Sequence, residues 1–261
     1  MDAVNKTLYI PLYGKAYVSR QGLILRDKKA EEIWAAEGFP LKGKAASKWL
    51  AYYMGMRSAV FDRWLEKTME SDPNALVVHI GCGLDSRCLR VNRGSHPWYD
   101  VDFPEVIAQR KRHYPGTDGY RMCCGDVRKP DWLDSLPKGN AIVVMEGVSM
   151  YLRPEERQAL ADNLCRHFDR VRLLMDCYTE FAAKASRYKN PIREVGVSQV
   201  YGLDDPREME TGDFVFSQEH EMTPEDLISL LPEKERSWFR LVYAGKMSWR
   251  LYRLYEYRKK E

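Results

Sequence analysis

Apolar residues recur every three or four positions in the N-terminal part of the chain, a spacing typical of helices with one buried face. Asp27 precedes the segment KKAEEIWAAEG, whose Gly38 follows the last turn, so a short capped helix is predicted there. A longer helix is predicted over 46–69, and its apolar stripe consists of Trp49, Leu50, Tyr53, Met54, Val60, Phe61, Trp64 and Leu65. We therefore expect residues 1–72 to form a helical N-terminal cover.

From residue 75 onward, short apolar segments alternate with helical ones. Helices are predicted over 104–114 and 154–168, and strands over 75–80, 98–102, 120–124, 141–145 and 171–177. A continuous apolar segment such as ALVVHI is typical of a strand buried on both faces, and the alternation indicates βαβ units. Two closing strands are predicted over 239–244 and 250–258. The expected fold is α/β, with a doubly wound, mostly parallel, seven-stranded and Rossmann-like sheet.

The alternation is interrupted over 178–216. This segment shows no long periodic element, but its aromatic residues Phe181, Tyr188 and Tyr201 favour burial. We therefore expect an inserted substrate lid over 178–216 rather than a linker, followed by a capped helix over 223–231. The 261 residues are expected to form a single domain.

Charge and composition argue against several classes of protein. Lys and Arg number 41 against 38 Asp and Glu, a formal net charge of +3, and the basic residues do not cluster as they do on a nucleic-acid surface. No apolar run approaches the ~20 residues of a membrane helix, and the first residues lack the features of a signal peptide, so a cytoplasmic protein without membrane contact is expected. The six cysteines form no CxxC pair and no zinc-like spacing with histidine, so no metal is predicted.

A Gly-x-Gly sequence after a strand is the first candidate for chemistry. In HIGCGLDS, Gly81, Cys82 and Gly83 follow the predicted strand, and glycines allow the backbone to approach a ligand closely. Gly-x-Gly alone is a weak signal. Ser86 occupies the place of the third glycine of the dinucleotide fingerprint, so a nucleoside without phosphates is a better match than a dinucleotide.

Asp102 ends the next predicted strand, about 20 residues after Gly81, where such folds place an acid that accepts hydrogen bonds from a ribose diol. The same residue fits a capping box, Asp102-Phe103-Pro104-Glu105, for the following helix. Asp102 alone does not decide between these interpretations. The Gly-x-Gly upstream favours ribose binding.

Two further carboxylates follow predicted strands. Asp126 could accept the exocyclic amine of adenine while the backbone of Val127 contacts the ring, or it could be an ordinary turn or cap residue. Glu146 ends the apolar strand AIVVM, where an unpaired carboxylate would cost several kcal/mol to desolvate. Glu146 is therefore expected either to contact a ligand or to form a buried ion pair with an arginine.

Arg57 lies on the apolar stripe of its helix, and a buried arginine needs a partner. Its guanidinium suits a ligand carboxylate such as that of a methionine moiety, in which case its removal would strand no protein charge. The alternative is a pair with Asp62, Asp85 or Glu146. A ribose diol, an adenine, a carboxylate and no phosphate together match S-adenosylmethionine better than NAD or ATP.

The chain resembles the leucine carboxyl methyltransferase family, whose successive motifs match HIGCGLDSRCLRV, WYDVDFPEVIAQRK, GDV and VVMEGVSMYL. The likeness extends upstream to LYGKAYVSR, LILRDKKA and MRSAVFDRWL, and downstream to NPIREVGVSQVYGLDDPREME, and so covers most of residues 8–215. The resemblance implies a class I methyltransferase fold that uses S-adenosylmethionine and releases S-adenosylhomocysteine.

The resemblance also implies roles for individual residues. The implied contacts are Arg57 and Lys15 at the methionyl carboxylate, Gly81 at the cofactor backbone, Asp102 at the ribose, Asp126 and Val127 at the adenine, and Glu146 near the methionyl amino group. The neighbours that complete the expected cofactor-binding set are Cys82, Gly83, Phe103, Gly125 and Gly147. Tyr151 and Tyr201 are the candidate substrate-binding residues, and Tyr201 occupies a lid position that is typically tryptophan in the bacterial branch of the family.

The predicted activity is O-methyl transfer to a carboxylate of a small, polyketide-like molecule. A carboxyl group with a pKa near ~4 is ionised at neutral pH and needs no general base, and the five histidines are scattered, so no catalytic residue is assigned. The alternatives are a phenol or hydroxyl acceptor, with Tyr151, Tyr178 or His220 as base, a non-catalytic cofactor-binding module, and a nicotinamide oxidoreductase. The sequence leaves the acceptor and the oligomeric state open.

Overall fold

The computed structural model of the protein describes residues 7–186 and 199–260 and is built around one sheet. The strands are β1 (Leu76–Ile80), β2 (Trp98–Asp102), β3 (Tyr120–Cys124), β4 (Asn140–Met145), β5 (Arg170–Tyr178), β6 (Phe214–Glu219) and β7 (Tyr252–Lys259). Their order is β3-β2-β1-β4-β5-β7-β6, in which β1–β5 run parallel and β7 is antiparallel to both neighbours. The predicted α/β, mostly parallel seven-stranded sheet is confirmed.

Helices surround this sheet. They are α1 (Tyr9–Arg20), α2 (Lys28–Glu37), α3 (Lys48–Ser71), α4 (Arg87–Arg90), α5 (Pro104–Arg110), α6 (Pro154–His167), α7 (Glu180–Ser186), α8 (Glu225–Ile228), α9 (Glu233–Tyr243) and α10 (Lys246–Leu251), with short 3-10 turns at Gly43–Ala46, Asp131–Ser135, Ser149–Tyr151 and Pro206–Met209. As predicted, Asp27 caps α2 by accepting a hydrogen bond from the Ala30 N–H, and Gly38 ends the helix in the left-handed conformation.

The sheet separates two apolar cores, because successive strand residues face opposite sides. Val77 and Leu174 belong to the core formed with α1 and α3, whereas Val78 and Leu173 belong to the core formed with α6. Both faces of the central strands are thus covered, which explains why their sequences are apolar throughout.

The closing part of the chain corrects one prediction. Residues 239–244, predicted as a strand, belong mostly to α9. The edge strand beside β7 is instead β6, which begins within the predicted lid and ends beyond it. A short apolar segment does not distinguish a strand from a buried helical turn, and α9 buries only Phe239 fully. β6 is held by tertiary contact, since the Phe214 ring stacks on Tyr257 at 5.3 Å between ring centroids.

The predicted helix over 223–231 forms only over Glu225–Ile228. The N–H groups of Leu230 and Leu231 bond to carbonyls three residues back, and Pro232 prevents continuation as a helix. Among the described residues, no helix is long and apolar enough to cross a membrane.

The described parts of segment 178–216 contain α7, a 3-10 turn and the start of β6, while residues 187–198, with Tyr188, lie outside the described residues. Phe181 was expected to be buried but is 49% exposed, and the Arg250 guanidinium covers one face of its ring. The division into a cover over 1–72 and a lid over 178–216 stays a prediction.

Candidate active site

A cavity of 280 Å³ opens at the carboxyl ends of β1, β2 and β4, with α1 and α3 on its other side. In a doubly wound sheet this is where ligands bind. Thirteen of the fourteen predicted site residues line the cavity, namely Lys15, Arg57, Gly81, Cys82, Gly83, Asp102, Phe103, Gly125, Asp126, Val127, Glu146, Gly147 and Tyr151. The exception is Tyr201, which is half-buried and donates its backbone N–H to the Met150 carbonyl at 2.8 Å.

The turn after β1 must be glycine for steric reasons. Gly81 has a φ of +63°, and a Cβ at this position would lie 2.1 Å from Cγ2 of Val148. On the neighbouring wall, a Cβ at Gly125 would lie 2.4 Å from Cβ of Trp132. Both glycines line the cavity with main chain alone, and each is required because a side chain there would collide with a neighbouring residue.

Asp102 is held by backbone groups on both sides. Its Oδ2 accepts the Gly83 N–H and its Oδ1 accepts the Phe103 N–H, each at 2.8 Å. The capping-box interpretation is wrong, because the residue at the N-cap of α5 is Phe103 and no side chain caps this helix end. Each carboxylate oxygen keeps a lone pair for a ligand hydroxyl. Burial raises the pKa of Asp102 despite the two N–H donors.

Asp126 lines the cavity and also bonds to Arg128 in the turn after β3. Its Oδ1 accepts the Arg128 backbone N–H at 3.1 Å, and its carboxylate pairs with the Arg128 guanidinium at 2.7 Å. The Arg128 hydrogen bonds lower the pKa of Asp126. The turn interpretation therefore describes its protein contacts, and adenine binding stays a prediction for its remaining acceptor capacity.

Arg57 pairs with two buried carboxylates of the protein. The sequence had favoured a ligand carboxylate as its partner, with a protein carboxylate as the alternative. It is 3% exposed, its Nε donates to Glu146 Oε1 at 3.0 Å and its Nη1 donates to Asp176 Oδ2 at 2.7 Å. Of the partners considered from sequence, Glu146 is correct, while Asp62 and Asp85 bond to other groups. Arg57 Nη2 makes no hydrogen bond with a described residue, and it lies 3.6 Å from where a Cβ of Gly147 would stand.

Glu146 forms the buried ion pair that was one of its two interpretations. It accepts hydrogen bonds from Arg57, Ser58 Oγ and Arg87 Nη2. Burial alone would raise the pKa of Glu146, but Arg57 and Arg87 outweigh burial and hold it at about 2. The carboxylate is thus charged at any physiological pH.

Lys15 is also paired within the protein. Its Nζ lies 3.1 Å from Oδ2 of Asp85, which in turn lies 3.3 Å from Arg87 Nη1. Burial opposes ionisation of Asp85, but Arg87, Lys15 and Arg90 hold its pKa well below the usual range. Lys15 therefore reaches the cavity as a fixed, charge-balanced group.

Sequence reasoning missed Asp176, Arg87 and Tyr252. Asp176 directly follows the apolar run LLM within β5, just as Glu146 directly follows AIVVM, so the same signal could have identified it. Tyr252 lines the cavity because β7 pairs it with Tyr178, and that antiparallel register carries no local signal in the sequence.

A mostly parallel seven-stranded sheet that closes with an antiparallel strand pair, and has a glycine turn after β1, is the fold of class I methyltransferases. The family model for leucine carboxyl methyltransferase matches residues 6–165, and the chain belongs to this family. The protein is an S-adenosylmethionine-dependent methyltransferase.

Two sequence relatives support this assignment. The chain is 31% identical over 214 residues to the tetracenomycin polyketide synthesis O-methyltransferase TcmP of Streptomyces glaucescens, which covers 81% of this chain and 79% of the relative. It is 27% identical over 235 residues to the S-adenosyl-L-methionine-dependent methyltransferase dpfgK of Gibberella zeae, with the same coverage of 81% and 79%.

The solved structures are more distant and show the fold alone. Magnesium protoporphyrin IX methyltransferase from Synechocystis PCC 6803 with bound S-adenosylhomocysteine has a TM-score of 0.51 at 12% identity, over 95% of this chain and 98% of that one. A DUF574 family protein from Streptomyces avermitilis has a TM-score of 0.58 at 12% identity, over 95% and 97%.

Proposed function

We propose that the protein transfers the methyl group of S-adenosylmethionine to a carboxylate oxygen of a small-molecule acceptor. The observation that carries the proposal is the pair of tyrosine hydroxyls at the end of the cavity beyond Gly147. Tyr151 and Tyr252 line this end, and burial raises the pKa of both phenols above the ordinary value. Both hydroxyls are therefore protonated at neutral pH and act as hydrogen-bond donors rather than bases.

The remaining imidazole at the cavity does not provide a base either. His79 is buried, with Nδ1 3.4 Å from Asp100 Oδ1 and Nε2 3.4 Å from Arg87 Nη1. A carboxylate acceptor is ionised at neutral pH and needs only donors that orient it, whereas a phenol has to lose a proton first. Among the described residues, this end of the cavity offers tyrosine hydroxyls as proton donors and no imidazole other than His79, which favours a carboxylate acceptor.

The residues at the cavity fit the cofactor. The main chain of Gly81, which lines the cavity without a side chain, suits the close approach of the methionyl chain, and the open lone pairs of Asp102 suit a ribose diol. Arg57 Nη2 would hold the methionyl carboxylate with Lys15, and Glu146 would lie near the amino group. Asp126 and Val127 would bind the adenine.

Bound there, the cofactor supplies an electrophilic methyl group on a positively charged sulfur. The protein would orient the acceptor with the hydroxyls of Tyr151 and Tyr252 and exclude water with the apolar walls formed by Met54 and Met150. No proton moves in this reaction, so no residue has to act as an acid or a base. TcmP is named as a polyketide synthesis O-methyltransferase, so a polyketide-like carboxylic acid is the first acceptor to test.

A hydroxynaphthoic acid tests the proposal, since it carries both a carboxylate and a phenol. We expect a methyl ester, which mild alkali hydrolyses to methanol, and a rate that is flat between about pH 6 and 8 because the acceptor is ionised throughout. An alkali-stable methyl ether, with a rate that rises with pH, would show a phenol O-methyltransferase instead. Cofactor binding without turnover on a panel of aromatic acids and phenols would support a non-catalytic module.

A further inference from the structure

Asp176 lies at the carboxyl end of β5, directly behind the cavity wall. It is 0% exposed and does not line the cavity. Its two carboxylate oxygens nevertheless contact two different walls, because Oδ2 accepts from Arg57 Nη1 on α3 at 2.7 Å and Oδ1 accepts from the Gly147 N–H after β4 at 2.6 Å. Its backbone carbonyl accepts the Ser149 hydroxyl at 2.5 Å, in the turn that carries Tyr151.

We infer that Asp176 is a positioning residue, which fixes Arg57 and Gly147 in the geometry that the methionyl carboxylate of the cofactor requires. The inference rests on the proposed function, in which Arg57 binds that carboxylate. Asp176 would act only through these neighbours.

The geometry of the guanidinium supports this role. A guanidinium is planar and rigid, so two bonds to different partners fix the direction of its third nitrogen. Glu146 holds Nε, Asp176 holds Nη1, and Nη2 is left beside Gly147. An arginine that is already immobilised loses no further rotamer freedom when the ligand binds, and this favours affinity.

The backbone at Gly147 adds a second constraint. Its φ of +74° lies in the left-handed region, and its N–H points into the sheet at Asp176 instead of into the cavity. This bond fixes the turn between Glu146 and Tyr151. The carboxylate of Asp176 thus fixes the position of both the Arg57 guanidinium and this turn at the methionyl end of the proposed site.

The opposite effect is also physically possible, which makes the sign of the result informative. Asp176 partly neutralises Arg57, and a neutralised guanidinium attracts a ligand carboxylate less strongly. If neutralisation outweighs positioning, removal of the Asp176 charge should tighten ligand binding. If positioning outweighs neutralisation, removal should weaken it.

The test is calorimetric titration of Asp176→Asn with S-adenosylhomocysteine and with methylthioadenosine, which lacks the amino-acid portion. We expect the affinity for S-adenosylhomocysteine to fall by about ten-fold, as for loss of one charge-assisted hydrogen bond, and the affinity for methylthioadenosine to stay within about two-fold. The matched control is Asp62→Asn, which removes a carboxylate that bonds Arg87 and Arg90 but not Arg57. The control should leave the ratio of the two affinities unchanged.

Two results would overturn the inference, namely tighter binding of S-adenosylhomocysteine to Asp176→Asn or an equal loss for both ligands. Asp176→Glu, which keeps the charge but displaces it, should lower the same ratio and serves if the asparagine variant does not fold. Arg57→Lys separates this inference from the proposed function. If Arg57→Lys leaves the ratio of the two affinities unchanged, Arg57 does not contact the methionyl carboxylate and the proposed function is wrong on this point. If Arg57→Lys lowers the ratio but both Asp176 variants keep the wild-type ratio, only the role of Asp176 is refuted.

Discussion

Arg57→Met keeps the apolar stem of a buried side chain and removes its charge. Glu146 then keeps hydrogen bonds from Arg87 and Ser58, whereas the carboxylate of Asp176 keeps only the Gly147 N–H among the described residues. Breaking a buried pair from one side costs about 3–5 kcal/mol, because the other charge is left uncompensated. Burial already raises the pKa of Asp176, so this carboxyl can take up a proton and limit the loss to about 3 kcal/mol.

For a chain of this length, 1 kcal/mol corresponds to about 2–4 °C in Tm, so Arg57→Met should unfold about 6–12 °C below the wild type. Its affinity for S-adenosylhomocysteine should also fall, by about 2 kcal/mol or roughly 30-fold, because a charged hydrogen bond to the methionyl carboxylate is lost. Thermal unfolding without ligand and calorimetry with S-adenosylhomocysteine measure the two effects separately.

The double variant Arg57→Met with Asp176→Leu is the control. It removes both members of the pair, so most of the lost stability should return while the ligand affinity stays low. A single variant that melts within about 2 °C of the wild type would mean that Arg57 strands no charge, as the sequence alone suggested. A large loss of stability with unchanged affinity would refute the contact between Arg57 and the cofactor.

Three further perturbations test the site and its support. Asp102→Asn should weaken S-adenosylhomocysteine binding by about 1–3 kcal/mol. Because burial raises the pKa of Asp102, the affinity of the wild type should decline on acidification more than that of the variant, and equal calorimetric pH profiles would contradict this. Gly81→Ala should unfold at lower temperature, because its Cβ would lie 2.1 Å from Val148 Cγ2, and Val148→Ala should restore part of the loss in melting experiments. Burial opposes ionisation of Asp100, but Arg110 helps to hold its pKa at about 2. The stability that this carboxylate contributes above its unfolded-state pKa of ~3.9 should therefore be lost as pH falls towards 2, by about 2 kcal/mol in denaturant titrations. Asp100→Asn should show a shallower decline.

Local signals predicted the parts of the fold that local sequence determines. The strands β1 and β4 are almost entirely apolar because both of their faces are covered, and the ends of strands are marked by residues such as Gly81, Asp102 and Glu146. The strand β6 was missed because its identity depends on antiparallel pairing with β7 across a long connection. A short amphipathic segment there fits either a helix or a strand, and only tertiary contacts decide.

The sequence also could not identify which residues pair with the buried charges. The sequence identified Arg57 and Glu146 as charges in apolar surroundings, which is a local property, but pairing is set by the distance between α3 and the ends of β4 and β5. Asp176 and Arg87 complete the pairs from elements far away along the chain. A sequence can thus state that a buried charge needs a partner without stating which partner it has.

The completed pairs also explain which cofactors the site can accept. Side chains of alternating charge follow one another along one wall of the cavity, in the order Lys15, Asp85, Arg87, Glu146, Arg57 and Asp176. Three cations alternate with three carboxylates in this row, and the row pairs further with Asp62 at Arg87 and with Arg90 at Asp85, so this wall is strongly polar without an excess of cations. Such a wall can bind the zwitterionic amino-acid end of S-adenosylmethionine, whose ammonium and carboxylate each find an opposite charge, but it offers no excess of cations for the phosphates of NAD or ATP. The choice of cofactor that the missing third glycine suggested therefore has a second, electrostatic basis in residues that the sequence alone could not pair.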